Sequence, residues 1–173
     1  LPLRLSPQCS AVVTRTLSVA LIESKPIKVT RPPTTARING LSLLSANIHA
    51  YADTTKIEFE WLVEIPPKTP FAFVPHLKDA NGRLMFDSVF PSHSGKHPDP
   101  ILWPMVADIA PSLGLKSGQG LRQSFTFRRG IEGNETEGKL ELTAYELTPG
   151  ATKSGALSIE VGIHRDPHKQ HSP

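Results

Sequence analysis

The chain has 173 residues, of which 38% are apolar and 20% are charged, and its net charge at pH 7 is +3. This length fits one domain with a sizeable core and leaves residues for arms or long loops. Basic and acidic residues alternate along the chain, without the concentrated basic face that nucleic-acid binders use. We therefore expect no nucleic-acid partner.

Signals for disulfides and membrane insertion are sparse. Cys9 is the one cysteine, so the chain closes no internal disulfide and builds no zinc site from several cysteines. No stretch approaches the roughly 20 apolar residues of a spanning helix, so we expect no transmembrane segment in this chain. Because the sequence begins at Leu1, we expect a mature exported protein or an excerpt of a larger one, in an extracytoplasmic compartment.

The N-terminal segment has the composition of a Pro-rich arm. Residues 12–22 are rich in β-branched side chains and predict a strand, and residues 27–30 predict a second, shorter one. Arg31-Pro32-Pro33-Thr34-Thr35 then interrupts regular structure and reads as a linker.

Residues 55–65 have the clearest strand pattern in the chain. Ile57, Phe59, Trp61, Val63 and Ile65 fall on one face of a period-two alternation, opposite mostly charged residues. This is typical of a strand with one buried and one solvated face. Similar patterns predict strands over 41–51, 71–78, 83–90, 121–129 and 139–147, and a last one through Leu157 and Ile163.

An Asn81-Gly82 pair separates two of these strands. Both residue types tolerate the positive φ of a type I′ turn, so the pair predicts a hairpin. Pro75 lies within the first strand of that hairpin, where it indicates an edge or a bulge.

Residues 91–120 form a long connection with five prolines and four glycines. Apolar residues within it, from Leu102 to Leu113, recur at helical spacing and predict a short helix that starts near Pro104. Connections of this length are often functional.

Together these signals predict an all-β fold, an antiparallel two-sheet β-sandwich of jelly-roll or Ig-like type, with one short helix in the long connection. We predict an N-terminal arm over 1–37 with one or two strands, the sandwich over 38–164, and a polar tail over 165–173.

Trp103, flanked by Leu102 and followed by Met105, is the strongest candidate for ligand contact. It either caps the open end of the sandwich or anchors a sugar ring or a protein partner, because aromatic side chains dominate such contacts.

His93 and His97 are weaker candidates in the same connection. With Asp99 they offer metal-ligand chemistry, but the His-x3-His spacing needs a helix that Gly95 and Pro98 disfavour. We expect exposed loop histidines and assign no metal and no cofactor. The histidines near the C-terminus fit a polar tail.

The sequence holds no clear catalytic constellation. It contains no G-x-S-x-G elbow and no Gly-rich phosphate loop. Glu58 and Glu60 would lie about 7 Å apart on one strand face, close to the separation of glycosidase carboxylates, but alternating Glu is also ordinary decoration of a solvated strand face.

Within the stretch from Leu41 to Gly82, Trp61 lies at the centre of a strand, and Phe73-Val74-Pro75-His76-Leu77-Lys78-Asp79 runs into Asn81-Gly82-Arg83-Leu84. On these residues the stretch resembles extracytoplasmic β-sandwich modules, including those attached to membrane glycosyltransferases. Trp103 would lie where a later Trp often occurs in such modules. Pro75 and the long connection depart from the resemblance, which implies an accessory, non-catalytic role and no catalytic residues.

The leading functional hypothesis is therefore a non-enzymatic binding or assembly module that presents loops and strand edges to a protein partner. The arm could add a strand to the sheet edge of a neighbouring subunit. The first alternative is a carbohydrate-binding module that uses Trp103 and the 91–120 connection. The second is a small metal-dependent hydrolase that uses the loop histidines.

Overall fold

The structure is a computed structural model, and it describes residues 13–16, 20–69, 71–87, 114–127, 130–131, 133–146 and 152–166. Every regular element in these ranges is a β-strand, which confirms the all-β prediction. The predicted helix near Pro104 lies outside the described residues.

Ten strands occur in the described chain. In order they are β1 (Val13–Thr16), β2 (Ala20–Ile27), β3 (Arg37–Ile38), β4 (Leu41–Tyr51), β5 (Thr55–Val63), β6 (Phe71–Lys78), β7 (Leu84–Asp87), β8 (Gly120–Phe127), β9 (Glu137–Glu146) and β10 (Thr152–Asp166). β10 runs two residues past the predicted start of the polar tail.

The strands pair in the order β1-β2-β8-β5-β4-β10-β9-β6-β7, and β3 pairs with β4 beside this path. The two separate sheets of the predicted sandwich are not confirmed. β10 pairs with both β4 and β9, and so joins the strands into a single sheet. The prediction of purely antiparallel pairing is wrong at this strand. β10 pairs antiparallel with β9 as far as Gly162, then continues past the end of β9, and Ile163–Asp166 run parallel to β4.

The alternation predicted for β5 is confirmed from Thr55 to Val63, where odd-numbered residues are buried and even-numbered residues are half-buried. Ile65 is the exception. The strand ends at Val63, and Ile65, expected on the buried face, is 66% exposed.

The core lies between two halves of the sheet that fold over each other. The Trp61 ring of β5 stacks on Phe73 of β6, with ring centroids 5.5 Å apart. Three strands separate β5 from β6 in the pairing order. The sheet must therefore curl until β6 faces β5, and the aromatic side chains fill the space enclosed between them.

A buried polar chain crosses three strands on the inner face. Gln123 of β8 is fully buried. Its side-chain oxygen accepts a hydrogen bond of 3.0 Å from the indole N–H of Trp61, and its amide nitrogen donates to the Ser24 hydroxyl over 3.4 Å. Ser24 lies on β2, so the segment predicted as an arm contributes a strand to the same sheet, in register with β8.

The strands of the arm differ from the prediction. Where the sequence indicates one strand over 12–22, the structure has β1 and β2, and residues 28–30 are not a strand. The division of the chain into arm, domain and tail stays a prediction.

The hairpin at Asn81-Gly82 is confirmed, but its turn type is different. Gly82 has a positive φ of 78° and Asn81 does not. The carboxylate of Asp79 accepts 2.8 Å hydrogen bonds from the backbone N–H groups of Asn81 and Arg83, so Asp79 organises a longer turn.

The type I′ geometry occurs instead at Asn39-Gly40, between β3 and β4. Here φ is 48° at Asn39 and 78° at Gly40, as this turn requires. Pro75 lies in β6 opposite Leu142 of β9, and the described part of the β6–β7 ladder runs from His76 to Lys78 with its register shift between Leu77 and Lys78. The edge or bulge expected at Pro75 itself stays a prediction.

Gly40 and Gly82 provide a matched comparison, since both have φ of 78°. A Cβ on Gly40 would lie 2.5 Å from the carbonyl oxygen of Ile65, whereas a Cβ on Gly82 would meet nothing within 4 Å. We predict that Gly82→Ala lowers the free energy of unfolding by about 1 kcal/mol, and Gly40→Ala by roughly 2 kcal/mol more. Urea denaturation of both variants measures this difference, and equal losses would show that the close approach is absent.

Candidate functional site

The site residues predicted from the sequence cannot be placed. Trp103, Leu102, Met105, His93 and His97 all lie in 88–113, outside the described residues, and they stay predictions. The described part of the chain offers two other candidate sites at opposite ends of β4.

The first candidate, called here the Ile65 pocket, has a volume of about 310 Å³. The Asn39-Gly40 turn forms one wall, and the segment 65–69 that follows β5 forms the other. Phe71 of β6, which is 2% exposed, belongs to the lining. The pocket therefore opens among the loops at one end of the folded sheet.

Backbone hydrogen bonds fix the position of Ile65. The N–H groups of Glu64 and Ile65 donate to the Gly40 carbonyl over 2.9 and 3.0 Å. The Ser117 hydroxyl donates to the Glu64 carbonyl over 2.8 Å. An apolar side chain that is 66% exposed thus projects from a rigid backbone, so little conformational entropy is lost when a ligand covers it.

The rest of the rim mixes apolar and polar groups. Pro66 and Pro67 are half-buried beside Ile65, and Lys68 is exposed. Across the pocket, the Asn39 side-chain amide donates to the Ser154 hydroxyl over 2.7 Å. The arrangement can cover an apolar group and offer hydrogen bonds around it.

The sequence contains a signal that Ile65 lies outside β5, although the apolar alternation from Ile57 to Ile65 suggests that the strand includes it. Pro66 and Pro67 follow Ile65 directly and lack backbone N–H groups for a ladder, so they favour an end to β5 close to this residue.

The second candidate is a pocket of about 250 Å³ lined by His49, Tyr51, His164, Arg165 and Asp166. The parallel pairing of β4 and β10 sets His49 opposite His164. Their rings stack with centroids 5.2 Å apart. His164, expected at the end of the sandwich next to a polar tail, is thus part of a paired strand.

Burial lowers the pKa of His49 below its usual value of 6.5. The carboxylate of Glu58, 3.6 Å from its ring, opposes this shift, while His164 and Lys56 add to it. His49 is therefore neutral near pH 7. In the described part of the chain, no group of three or more His, Cys, Asp or Glu side chains is placed to hold a metal ion.

Glu58 and Glu60, the carboxylate pair noted in the sequence, are both engaged in ion pairs. Glu60 accepts a 3.1 Å hydrogen bond from Arg122 Nε and lies 3.7 Å from Arg31, and the Arg122 hydrogen bond holds its pKa below the usual range. Glu58 lies 2.9 Å from Lys56. The Glu60 contacts tie β5 to β8 and to the linker, whereas the contact of Glu58 with Lys56 lies within β5.

Comparisons with known proteins give little. No protein-family model matches the sequence, and no curated protein matches it. Among solved structures, the collagen adhesin from S. aureus is similar at 8% identity and a TM-score of 0.27, with 86% of this chain and 64% of that chain covered. This chain thus spans less than two thirds of that one, and a likeness this weak supports no assignment of fold or function.

No helix in the described ranges is long and apolar enough to cross a membrane.

The lowered pKa of His49 predicts a pH-dependent stability. An unfolded His49 binds a proton as pH falls below about 6.5, whereas the folded protein binds it only at lower pH. The stability that comes from neutral His49 is therefore complete above the unfolded pKa, and is lost as pH falls through this window towards the folded pKa. We expect the urea midpoint of the wild type to fall more than that of His49→Gln between about pH 7.5 and pH 5. Parallel curves would contradict the shift.

Proposed function

We propose that this chain is a non-catalytic binding or assembly module, and that its Ile65 pocket receives an extended segment of a protein partner. The observation that supports this most is the 66% exposure of Ile65 on a backbone fixed by Gly40. Single exposed apolar residues are common on protein surfaces. This one differs because it lies beside a pocket and is held by hydrogen bonds on either side.

A protein segment fits this chemistry better than a sugar does. Sugar rings are held by exposed aromatic faces, and the aromatic residue in the lining, Phe71, is buried. Ile65, Pro66 and Pro67 instead offer aliphatic surface to an apolar side chain. Asn39, Ser154 and the charges of Lys68 and Glu146 surround that surface and suit a peptide backbone and mixed side chains.

The expected affinity is modest. Full burial of an Ile side chain contributes about 1.5–3 kcal/mol, so covering the exposed two thirds of Ile65 contributes roughly 1–2 kcal/mol. A pocket of about 310 Å³ accommodates one or two side chains, which is the scale of a weak or transient interface. An assembly that uses this pocket would therefore need further contacts.

The finer classification of the fold as a jelly-roll or Ig-like sandwich also belongs to this proposal, and the contact of Trp61 with Phe73 across the curled sheet supports it. An extracytoplasmic location is proposed from the sequence resemblance alone. Carbohydrate binding through Trp103 is the alternative, and it would use a different part of the chain.

Peptide selection tests the proposal without a known partner. A displayed library of random peptides is selected against the wild-type chain, and the affinity of enriched peptides is then measured for Ile65→Asp and for Leu84→Asp. Leu84 is the matched control, because it is the other large apolar residue exposed in the described chain, at 42%, and lies on β7. We expect Ile65→Asp to weaken binding about tenfold or more, since it removes apolar contact and buries a charge, and Leu84→Asp to leave it unchanged.

Thermal unfolding establishes that both variants remain folded. Peptides that bind Ile65→Asp as tightly as the wild type would overturn the assignment of this pocket, and so would a selection that enriches no peptide. If Leu84→Asp weakens peptide binding and Ile65→Asp does not, the peptide binds at β7 and not at the Ile65 pocket.

A further inference from the structure

The attachment of β2 to the rest of the sheet depends on one strand. Eight residue pairs, from Ala20 opposite Phe127 to Ile27 opposite Gly120, join β2 to β8. In the described chain, β2 makes its extensive contacts with two strands: β8, which joins it to the rest of the sheet, and β1, which lies at the outer edge of the sheet. A single antiparallel ladder therefore holds this strand in place.

The partner of β8 must meet a specific chemical requirement. Gln123 is fully buried, and its amide nitrogen donates to the Ser24 hydroxyl. If β2 left, the amide would lose this acceptor, which costs about 1–3 kcal/mol in a buried site, and β8 would become an open edge ready to pair with another strand. A strand that occupies this edge restores the hydrogen bond if it places an acceptor, such as the Ser24 hydroxyl, in register with Gln123.

The linker after β2 restrains it weakly. Residues 28–33 are exposed or half-buried, and Pro32 and Pro33 favour an extended chain over a tight turn. Thr34 and Ala36 are hydrogen-bonded to Leu43 of β4, so the linker that can change its path ends at residue 33. Arg31 holds the linker to Glu60 over 3.7 Å, but the Arg31 side chain is 54% exposed, and ion pairs of this kind contribute little. The six residues 28–33 can span up to about 20 Å, far enough to reach a molecule that lies against this edge.

We propose that β2 is an exchangeable strand, and that a second copy of this chain docks its own Ala20–Ile27 on β8 in the same register. A second copy of this chain is the partner that fits best, because its β2 would place Ser24 opposite Gln123 and would repeat every residue pair of the β2–β8 ladder. The exchanged and closed forms then differ mainly in the path of the linker, so protein concentration sets the balance between them. This proposal concerns the β8 edge and does not rest on the Ile65 pocket.

Disulfide trapping between differently labelled chains tests the exchange. Glu23 pairs with Ser124, which is buried and alternates with Gln123 along β8. Glu23 is exposed, and no hydrogen bond to the Ser124 hydroxyl is made by the described residues. In a Cys9→Ser background, one chain carries Glu23→Cys and the other carries Ser124→Cys. Directly paired residues lie within disulfide distance, so a bond between the two chains forms where β2 of one lies on β8 of the other.

We expect oxidation of the mixture to give a covalent heterodimer, seen by non-reducing electrophoresis and mass spectrometry, with a yield that rises with concentration. A chain with Lys153→Cys, exposed on β10, replaces the Glu23→Cys chain as the control for random collision, and should give several-fold less dimer. The double variant, with both cysteines in one chain, should form the internal bond at low concentration and the intermolecular bond at high concentration.

Three results would overturn the proposal. An internal bond in the double variant without any heterodimer in the mixture would show that β2 stays on its own chain. Equal dimer yields with Lys153→Cys would show that the trapped contacts are random. A double variant that forms neither bond would show that the β2–β8 register itself is wrong.

Discussion

The indole of Trp61 occupies the place where the two halves of the curled sheet meet. Its ring stacks on Phe59 of the same strand at 5.3 Å and on Phe73 of the opposite half at 5.5 Å, and its N–H is bonded to Gln123. Burying a side chain of this size removes 150–250 Å² from water, a gain of about 4–6 kcal/mol. Trp61 is the largest of the fully buried side chains in the described part of the chain, so its contacts bear strongly on whether the sheet closes.

With the halves closed, the regions left for recognition are the ends of the strands and the outer edges. At one end, Ile65 lies past the end of β5, with its backbone N–H bonded to the Gly40 carbonyl and its side chain exposed. The outer face around Glu60 and Arg122 is already occupied by ion pairs within the chain. Because these charged side chains of the outer face are paired within the chain, the Ile65 pocket and the β8 edge are better candidates for contact with a partner.

Local signals in the sequence predicted local structure well. The alternation in 55–63 and the Asn81-Gly82 pair predicted β5 and the β6–β7 hairpin, because both depend on neighbours along the chain. The pairing of Ser24 with Gln123 spans 99 residues, and no local pattern encodes it. The parallel end of β10 was missed for the same reason. Ile65 followed the alternation but lay past the end of the strand, and the two prolines after it were the clue. The residues proposed from the long connection, Trp103 above all, stay untested.

Hydrogen exchange of the Trp61 indole N–H under native conditions tests most directly whether this side chain joins the two halves. If Trp61 joins the two halves, its indole N–H exchanges only through global unfolding, so its protection should match the free energy of unfolding from urea denaturation and fall with it as denaturant is added. An indole that exchanges through a smaller, denaturant-independent opening would show that the halves part without unfolding, and would contradict the closure on which the Ile65 pocket and the buried β2–β8–β5 contacts depend.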